Sequence, residues 1–377
     1  MTTTLRQGSP TKSRLVSLDA FRGITIAGML LVNNPGSWNH VYPALEHAEW
    51  HGWTPTDLVF PFFLFIVGVA MTFSFPSRLA KGETRAALLK HVIFRSVALF
   101  VLGMILTGFP DYDFSHRLIL DVLQRIGVVY LFSGIMVIYA KPMQQAVLSV
   151  FFIALYWVLM MTVPVPGFGA GVLAPGGNLW QHVDNVLIAG WHYHAEGVLS
   201  LIPSFSTVLL GSLTGELLRS EKTPLEKVSL MFVLGNVGMV LGAIMDIWFP
   251  INKLLWSSSY VVFTAGFALN LLGVCYWLID IKHYKSWATP FVVFGVNPIA
   301  AFFLSSFFSR VMGMMKIEGV DATGIQIATG LKSWLYANLF ASWATEINAS
   351  MFYAIAYTLM WLGVMWVLYR KNVFVKI

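Results

Sequence analysis

The chain has 377 residues, of which 57% are hydrophobic and only 11% charged, with a mean hydropathy of +0.71; soluble domains carry roughly 25% charged residues, so a soluble fold is excluded. The formal charge of +6 sits in short loops between apolar runs, not on a patch interleaved with aromatics, which argues against a nucleic-acid partner. Cys275 is the only cysteine and lies in an apolar run, which excludes internal disulfides, paired-cysteine metal sites and CxxC redox chemistry.

Ten apolar runs predict membrane-spanning helices near 19–34, 57–75, 91–109, 118–139, 145–163, 198–218, 226–247, 257–279, 290–310 and 349–369, each close to the roughly 20 residues needed to cross a bilayer core of about 30 Å. Arg6, Lys12 and Arg14 before the first run imitate a secretory signal, but no small-residue cleavage site follows, so the run reads as a retained first helix. The stretch 164–178, rich in Gly and Pro, reads as an irregular loop. Residues 331–345, with Trp334, Tyr336, Phe340 and Trp343 between Lys332 and Glu346, are too short to span and read as interfacial or re-entrant. Of the 24 Lys and Arg, sixteen fall in one set of connections plus the two termini, five fall in the opposite set, and Arg22, Arg95 and Arg125 fall within spans. The positive-inside rule therefore places both termini in the cytoplasm and loops 35–56, 110–117, 164–197, 248–256 and 311–348 outside. The expectation is an all-α helix bundle forming one membrane domain over 1–377, with 1–18 a cytoplasmic tail, 311–348 an outer loop, and membrane lipid around it. No internal repeat of the kind many transporters carry is visible.

His40, His47, His51, His116, His182, His192 and His194, seven of the nine histidines, lie in or beside the outer loops, so groups that titrate near neutrality gather on one side. His47 suits a general base near pH 7; the plainer alternative is an interfacial histidine bonded to backbone. Asp57 lies beside it in sequence, yet Thr54-Pro55-Thr56-Asp57 is also a good helix start. Trp50 fits an aromatic belt as well as a substrate contact. His47 and His51 are four apart, but without an HExxH order no metal site is expected; nor is there a GxSxG elbow. Asp19 and Arg22 stand one turn apart, where an ion pair would lower the cost of both charges. Arg125, preceded by Gln124, lies inside the fourth span, where it awaits either an anionic ligand or a buried acid. Two readings without acetyl transfer to an amine remain: a sugar transporter, and an enzyme that O-acylates an envelope saccharide.

Several stretches resemble one family, the transmembrane acetyltransferases typified by heparan-alpha-glucosaminide N-acetyltransferase, with bacterial relatives described as glucosamine N-acetyltransferases. The carriers are RLVSLDAFRGITIAGMLLVN, HAEWHGWTPTDLVFPFFLFIVG, DVLQRIGVVYL, AEGVLSLIPS, NKLLWSSSYVVFTAG, FGVNPIAAF and the end LYRKNVFVKI. The resemblance implies acetyl-CoA as donor, used without a metal, an amino sugar such as glucosamine as acceptor on the far side of the membrane, a homodimer, and, for a bacterial relative, residence in the inner membrane. It implies His47 and Asn33 as the catalytic pair; the residues themselves offer Arg22, Gln124 and Arg125 as donor contacts, and Asp57, Trp50, His194 and Glu196 as acceptor contacts. Where the family commonly shows Asp-Pro-Glu-Gly, this chain has His194-Ala195-Glu196-Gly197.

Overall fold

The computed structural model describes residues 15–112, 120–187, 197–320 and 326–375. Their helices are α1 Val16–Asn33, α2 Pro55–Leu79, α3 Arg85–Gly108, α4 Val122–Tyr139, α5 Pro142–Thr162, α6 Leu179–Leu187, α7 Leu201–Arg219, α8 Pro224–Met245, α9 Ser258–Tyr276, α10 Thr289–Val296, α11 Pro298–Met314, α12 Leu331–Leu339 and α13 Glu346–Arg370. One antiparallel hairpin, β1 Lys316–Val320 with β2 Gln326–Gly330, pairs Lys316 with Gly330. Among the described residues nine helices are long and apolar enough to cross a membrane, and ten if α10 and α11 form one span.

Proline and hydroxyl residues set the helix starts. Pro55, Pro142 and Pro224 each open a helix, where a missing N–H costs nothing. Ahead of α8, Thr223 N–H donates to Glu226 Oε2 at 2.7 Å. The ninth predicted span is not straight: α10 and α11 meet at 73°. Pro298 supplies no N–H and disfavours a helical residue before it, and Asn297 accordingly takes φ −129°. The bend is fastened by the C-terminal tail, since buried Asn297 Nδ2 donates to Val373 O at 2.9 Å and Val375 N–H donates to Asn297 Oδ1 at 2.8 Å.

The most enclosed helix is α2, with 72% of its apolar window buried, whereas α5 and α8 reach only 22%. The outer faces of such helices present Val147, Val150, Val233 and Val237, as a hydrocarbon surround requires. Close approach at the centre depends on glycine: a Cβ on Gly23 would stand 1.6 Å from Phe291 O, and one on Gly68 1.9 Å from Val208 O, so α1 with α10 and α2 with α7 meet backbone to backbone.

Among the described residues, hydrogen bonds join segments that the charge count assigns to the same side, Trp50 to Leu173 and Tyr42 to Asn348 at one end and Ser17 to Asp280 at the other. The segment 331–345 contains α12, whose nine residues include none fully buried; at 1.5 Å rise per residue it cannot cross the bilayer. Neither the hairpin nor α6 is announced by the sequence pattern.

Candidate active site

At the outer end the loop after α1 folds back over the start of α2. Asp57, the third residue of α2, is 1% exposed. Its Oδ2 accepts hydrogen bonds from Thr54 N–H at 2.9 Å, Thr54 Oγ1 at 3.2 Å and Ala48 N–H at 3.1 Å, leaving Oδ1 for His47 Nδ1 at 2.6 Å. Asp57 thus both starts the helix and orients the histidine. Tyr260 of α9 donates to the Asp57 carbonyl, fixing this point of the backbone from the other side. The His47 side chain is 44% exposed. With Nδ1–H assigned to the carboxylate by this geometry, Nε2 keeps its lone pair toward the open side.

A second segment, the turn between α8 and α9, closes on the same ring. Lys253 Nζ stands 3.2 Å from His47 Nε2 and 3.4 Å from Nδ1. The turn is pinned by Asn252, fully buried, whose Oδ1 accepts from Leu255 N–H at 2.8 Å and whose Nδ2 reaches His51 Nδ1 at 3.4 Å. Gly52 N–H donates to Ile251 O at 2.7 Å, lacing this turn to the His47 loop.

The opposite end of the bundle, where the sequence gathers its basic loops, holds a cavity of ≈ 260 Å³ between α1, α2, α3, α4 and α11, lined by Arg22, Arg78, His91 and Arg95 and, beyond them, by Phe63, Val67, Leu99 and Ile126. It shares Arg22, Ser74 and Arg78 with a neighbouring hollow of ≈ 880 Å³ that also presents Lys81 and Arg219. Arg78 pairs with Glu83 at 3.3 Å and lies 3.2 Å from His91 Nε2. The Arg95 guanidinium stacks over Tyr130 at 5.0 Å, and its buried Nε has no partner among the described residues. An orphaned buried donor in a cavity with two further arginines, Arg22 and Arg78, fits an anion with several oxygens, such as a phosphate. Ligand pockets of small molecules run to about 300–1,000 Å³, so the joined hollows have room for a nucleotide.

The family model described as heparan-alpha-glucosaminide N-acetyltransferase, catalytic, matches residues 14–242. The chain belongs to this family. Over 97% of its length it is 28% identical to the heparan-alpha-glucosaminide N-acetyltransferases of Homo sapiens and of Mus musculus. It spans about three fifths of their length, 60% and 61%. The matched family region holds His47, Asp57 and all four cavity arginines, whereas Lys253 lies beyond it.

Within this acetyltransferase-family bundle the residues singled out by sequence separate. His47 and Asp57 come together, but Asp57 is too enclosed to touch a substrate and acts on the histidine instead. Arg22 lines the cytoplasmic cavity, and its expected ion pair with Asp19 forms at 3.3 Å. Arg125 is no part of that lining: fully buried near the outer end of α4, it donates to Ser200 Oγ at 3.1 Å, Ser200 O at 3.0 Å and Ser204 Oγ at 2.6 Å, and stacks over Trp256 at 4.2 Å. Those bonds and the ring face offset the several kcal/mol of desolvation that such a charge costs. Gln124, equally buried, donates to Thr107 Oγ1 at 3.0 Å and ties α4 to α3. Asn33 is exposed at the end of α1 and forms no hydrogen bond with His47 among the described residues. Trp50 is anchored through Nε1 to Leu173 O at 3.0 Å. His194 and Glu196 lie outside the described residues. Sequence reasoning missed Lys253 and the cavity set Arg78, Arg95 and Arg219; the available signal was that Asn252-Lys253 opens the carrier stretch NKLLWSSSYVVFTAG.

Asp184 of α6 accepts from Val198 N–H at 2.9 Å. Burial lifts its carboxyl to about 6, against the pull of that hydrogen bond and of the Arg125 charge.

Proposed function

We propose that this chain is a transmembrane N-acetyltransferase that moves an acetyl group from cytoplasmic acetyl-CoA to the amine of glucosamine or a related amino sugar at the outer face, in the inner membrane of a bacterium. The observation that carries the reading is the pairing, in one bundle, of an oriented histidine open to the outer side with a cationic cavity open to the other. Family membership supplies the reaction class, and the relatives' printed names supply the kind of acceptor. Arg22, Arg78, Arg95 and Arg219, with Lys81, would hold the phosphates of the donor. The apolar upper lining of Phe63, Val67, Leu99 and Ile126 suits its extended pantetheine arm, whose thioester would lie toward the outer half of the bundle.

His47 Nε2 takes the proton from the amine as its nitrogen bonds to the thioester carbon, and Asp57 stabilises the imidazolium that results, the division of labour seen in carboxylate–histidine pairs generally. When the tetrahedral adduct collapses, the carbon–sulfur bond breaks and the departing thiolate takes the proton back from His47. No covalent enzyme intermediate is needed.

The test is release of free CoA by the purified full chain in nanodiscs given acetyl-CoA and glucosamine, beside His47→Ala. The reading expects release that requires the amino sugar and falls about 10²–10⁴-fold in the variant, the usual contribution of a general base. Glucosamine binding without CoA release from the wild-type protein would instead favour transport.

A further inference from the structure

Among the described residues, Lys253 is the cation that the fold delivers to the nitrogen on which the proposed chemistry turns. Its Nζ lies 3.2 Å from His47 Nε2, and the backbone that carries it is unusually constrained. Trp256, three residues on, is fully buried and adopts φ +53°, a left-handed conformation that a bulky L-residue rarely takes and that persists only where its surroundings enforce it. The enforcement is visible: Trp256 N–H donates to Lys253 O at 3.1 Å, Trp256 Nε1 to Thr207 Oγ1 at 3.3 Å, and the indole lies between Phe60, Tyr260 and the Arg125 guanidinium. On the preceding side buried Asn252 N–H donates to Ser257 Oγ at 3.0 Å. A strained turn held from four directions, with a lysine at its tip beside the histidine, is costly to keep unless the position of that ammonium matters.

Resting on the reading above, we propose that Lys253 is the electrophilic group of the acyl transfer, donating a hydrogen bond to the thioester carbonyl oxygen and holding the oxyanion that forms there. As the amine lone pair makes the carbon–nitrogen bond, the carbonyl π pair moves onto oxygen, where the Lys253 N–H meets it. The amine proton goes to His47 Nε2. Collapse re-forms the carbonyl and expels the thiolate with the proton from His47, and Lys253 keeps its own protons throughout. In the free protein the ammonium rests against the imidazole, 3.2 and 3.4 Å from its two nitrogens; an incoming carbonyl oxygen replaces the ring as its partner. The oxyanion role falls to Lys253 and not to Asn33, which stands exposed at the end of α1 and away from the histidine's hydrogen bonds.

The experiment compares Lys253→Met, Lys253→Arg, Lys253→Ala and Asn33→Ala with wild type and His47→Ala, all as the full chain in nanodiscs. It reads kcat and KM for acetyl-CoA and glucosamine and the thermal unfolding midpoint. Loss of one oxyanion donor removes roughly 10²–10³-fold from kcat, so Lys253→Met should fall by that amount with both KM values and the midpoint held. Lys253→Arg should recover to within about tenfold of wild type, added ethylammonium should partly restore Lys253→Ala, and Asn33→Ala should lose less than Lys253→Met. A Lys253→Met enzyme within threefold of wild type in kcat overturns the assignment while His47-dependent turnover leaves the acetyltransferase reading standing. A loss carried by KM, or one that neither arginine nor ethylammonium repairs and that follows a lowered midpoint, also overturns it. A wild-type protein that releases no CoA overturns both.

Discussion

At the histidine end two loops converge on one ring, whereas at the opposite, arginine-rich end α1, α2, α3 and α7 bring four arginines to two adjoining hollows that share Arg22 and Arg78. The outer geometry hangs on short hydrogen bonds to a single buried carboxylate, Asp57. The inner geometry hangs on summed charge along rigid helices, with Arg22, Arg78, Arg95 and Arg219 spread over four of them. The difference is what two tasks would require. Proton transfer needs one atom placed to within a fraction of an ångström, while holding a multiply charged anion tolerates redundancy and depends on net field. Substitutions at the two ends should therefore fail in different kinetic constants.

The sharpest break is expected at His47→Ala, through kcat, as stated above. Next comes Asp57→Asn, which leaves Nδ1 without its anionic partner: kcat should drop by about a hundredfold or more, and because the same side chain caps α2 the unfolding free energy should fall by about 1 kcal/mol. Steady-state kinetics together with a denaturation curve separate the two effects. At the other end, Arg78→Gln or Arg95→Gln should raise the KM for acetyl-CoA about tenfold each, the worth of one charge-assisted hydrogen bond, with kcat and the acceptor KM nearly unchanged. The same donor KM should climb between 0.05 and 0.5 M salt, roughly where screening shortens to a few ångströms, while the acceptor KM stays flat; equal responses at both ends would erase the contrast. The smallest effect is structural. The Asp184 carboxyl, raised by burial from 3.8 to about 6, contributes stability that is full below 3.8 and is lost as pH rises through about 6. Wild type should thus melt higher at pH 5 than at pH 7, and Asp184→Asn should flatten that slope.

Much of the bundle was open to reading because hydropathy and charge report on the bilayer directly. Nine of the ten predicted runs emerge among the described residues as single helices long and apolar enough to span, and the tenth as the bent pair α10 and α11. The bend at Asn297-Pro298 is present in the sequence as a proline within the run 290–310, but its size depends on the C-terminal tail that Asn297 holds, through contacts between residues 76 and 78 positions apart. At the outer site His47 and Asp57 are close in sequence, so local pattern sufficed, although only the structure shows that the cap and the histidine partner are the same carboxylate. Lys253 lies 206 positions from His47 and in the sequence was one of five outer basic residues. Arg125 drew attention as a charge within a span. Its partners are two serines of the chain entering α7 and a tryptophan ring, none of which a pattern of charges reveals.

The central claim is that one bundle takes its donor from the basic side and acetylates an acceptor on the other, and a sided assay tests it most directly. The protein would be inserted in one orientation into sealed vesicles, with radiolabelled acetyl-CoA supplied only on the side of Arg78 and Arg95 and glucosamine only on the side of His47. Labelled N-acetylglucosamine appearing in the glucosamine compartment, and not in vesicles carrying His47→Ala, is the result predicted. Product that forms only when both substrates share one compartment would contradict the account.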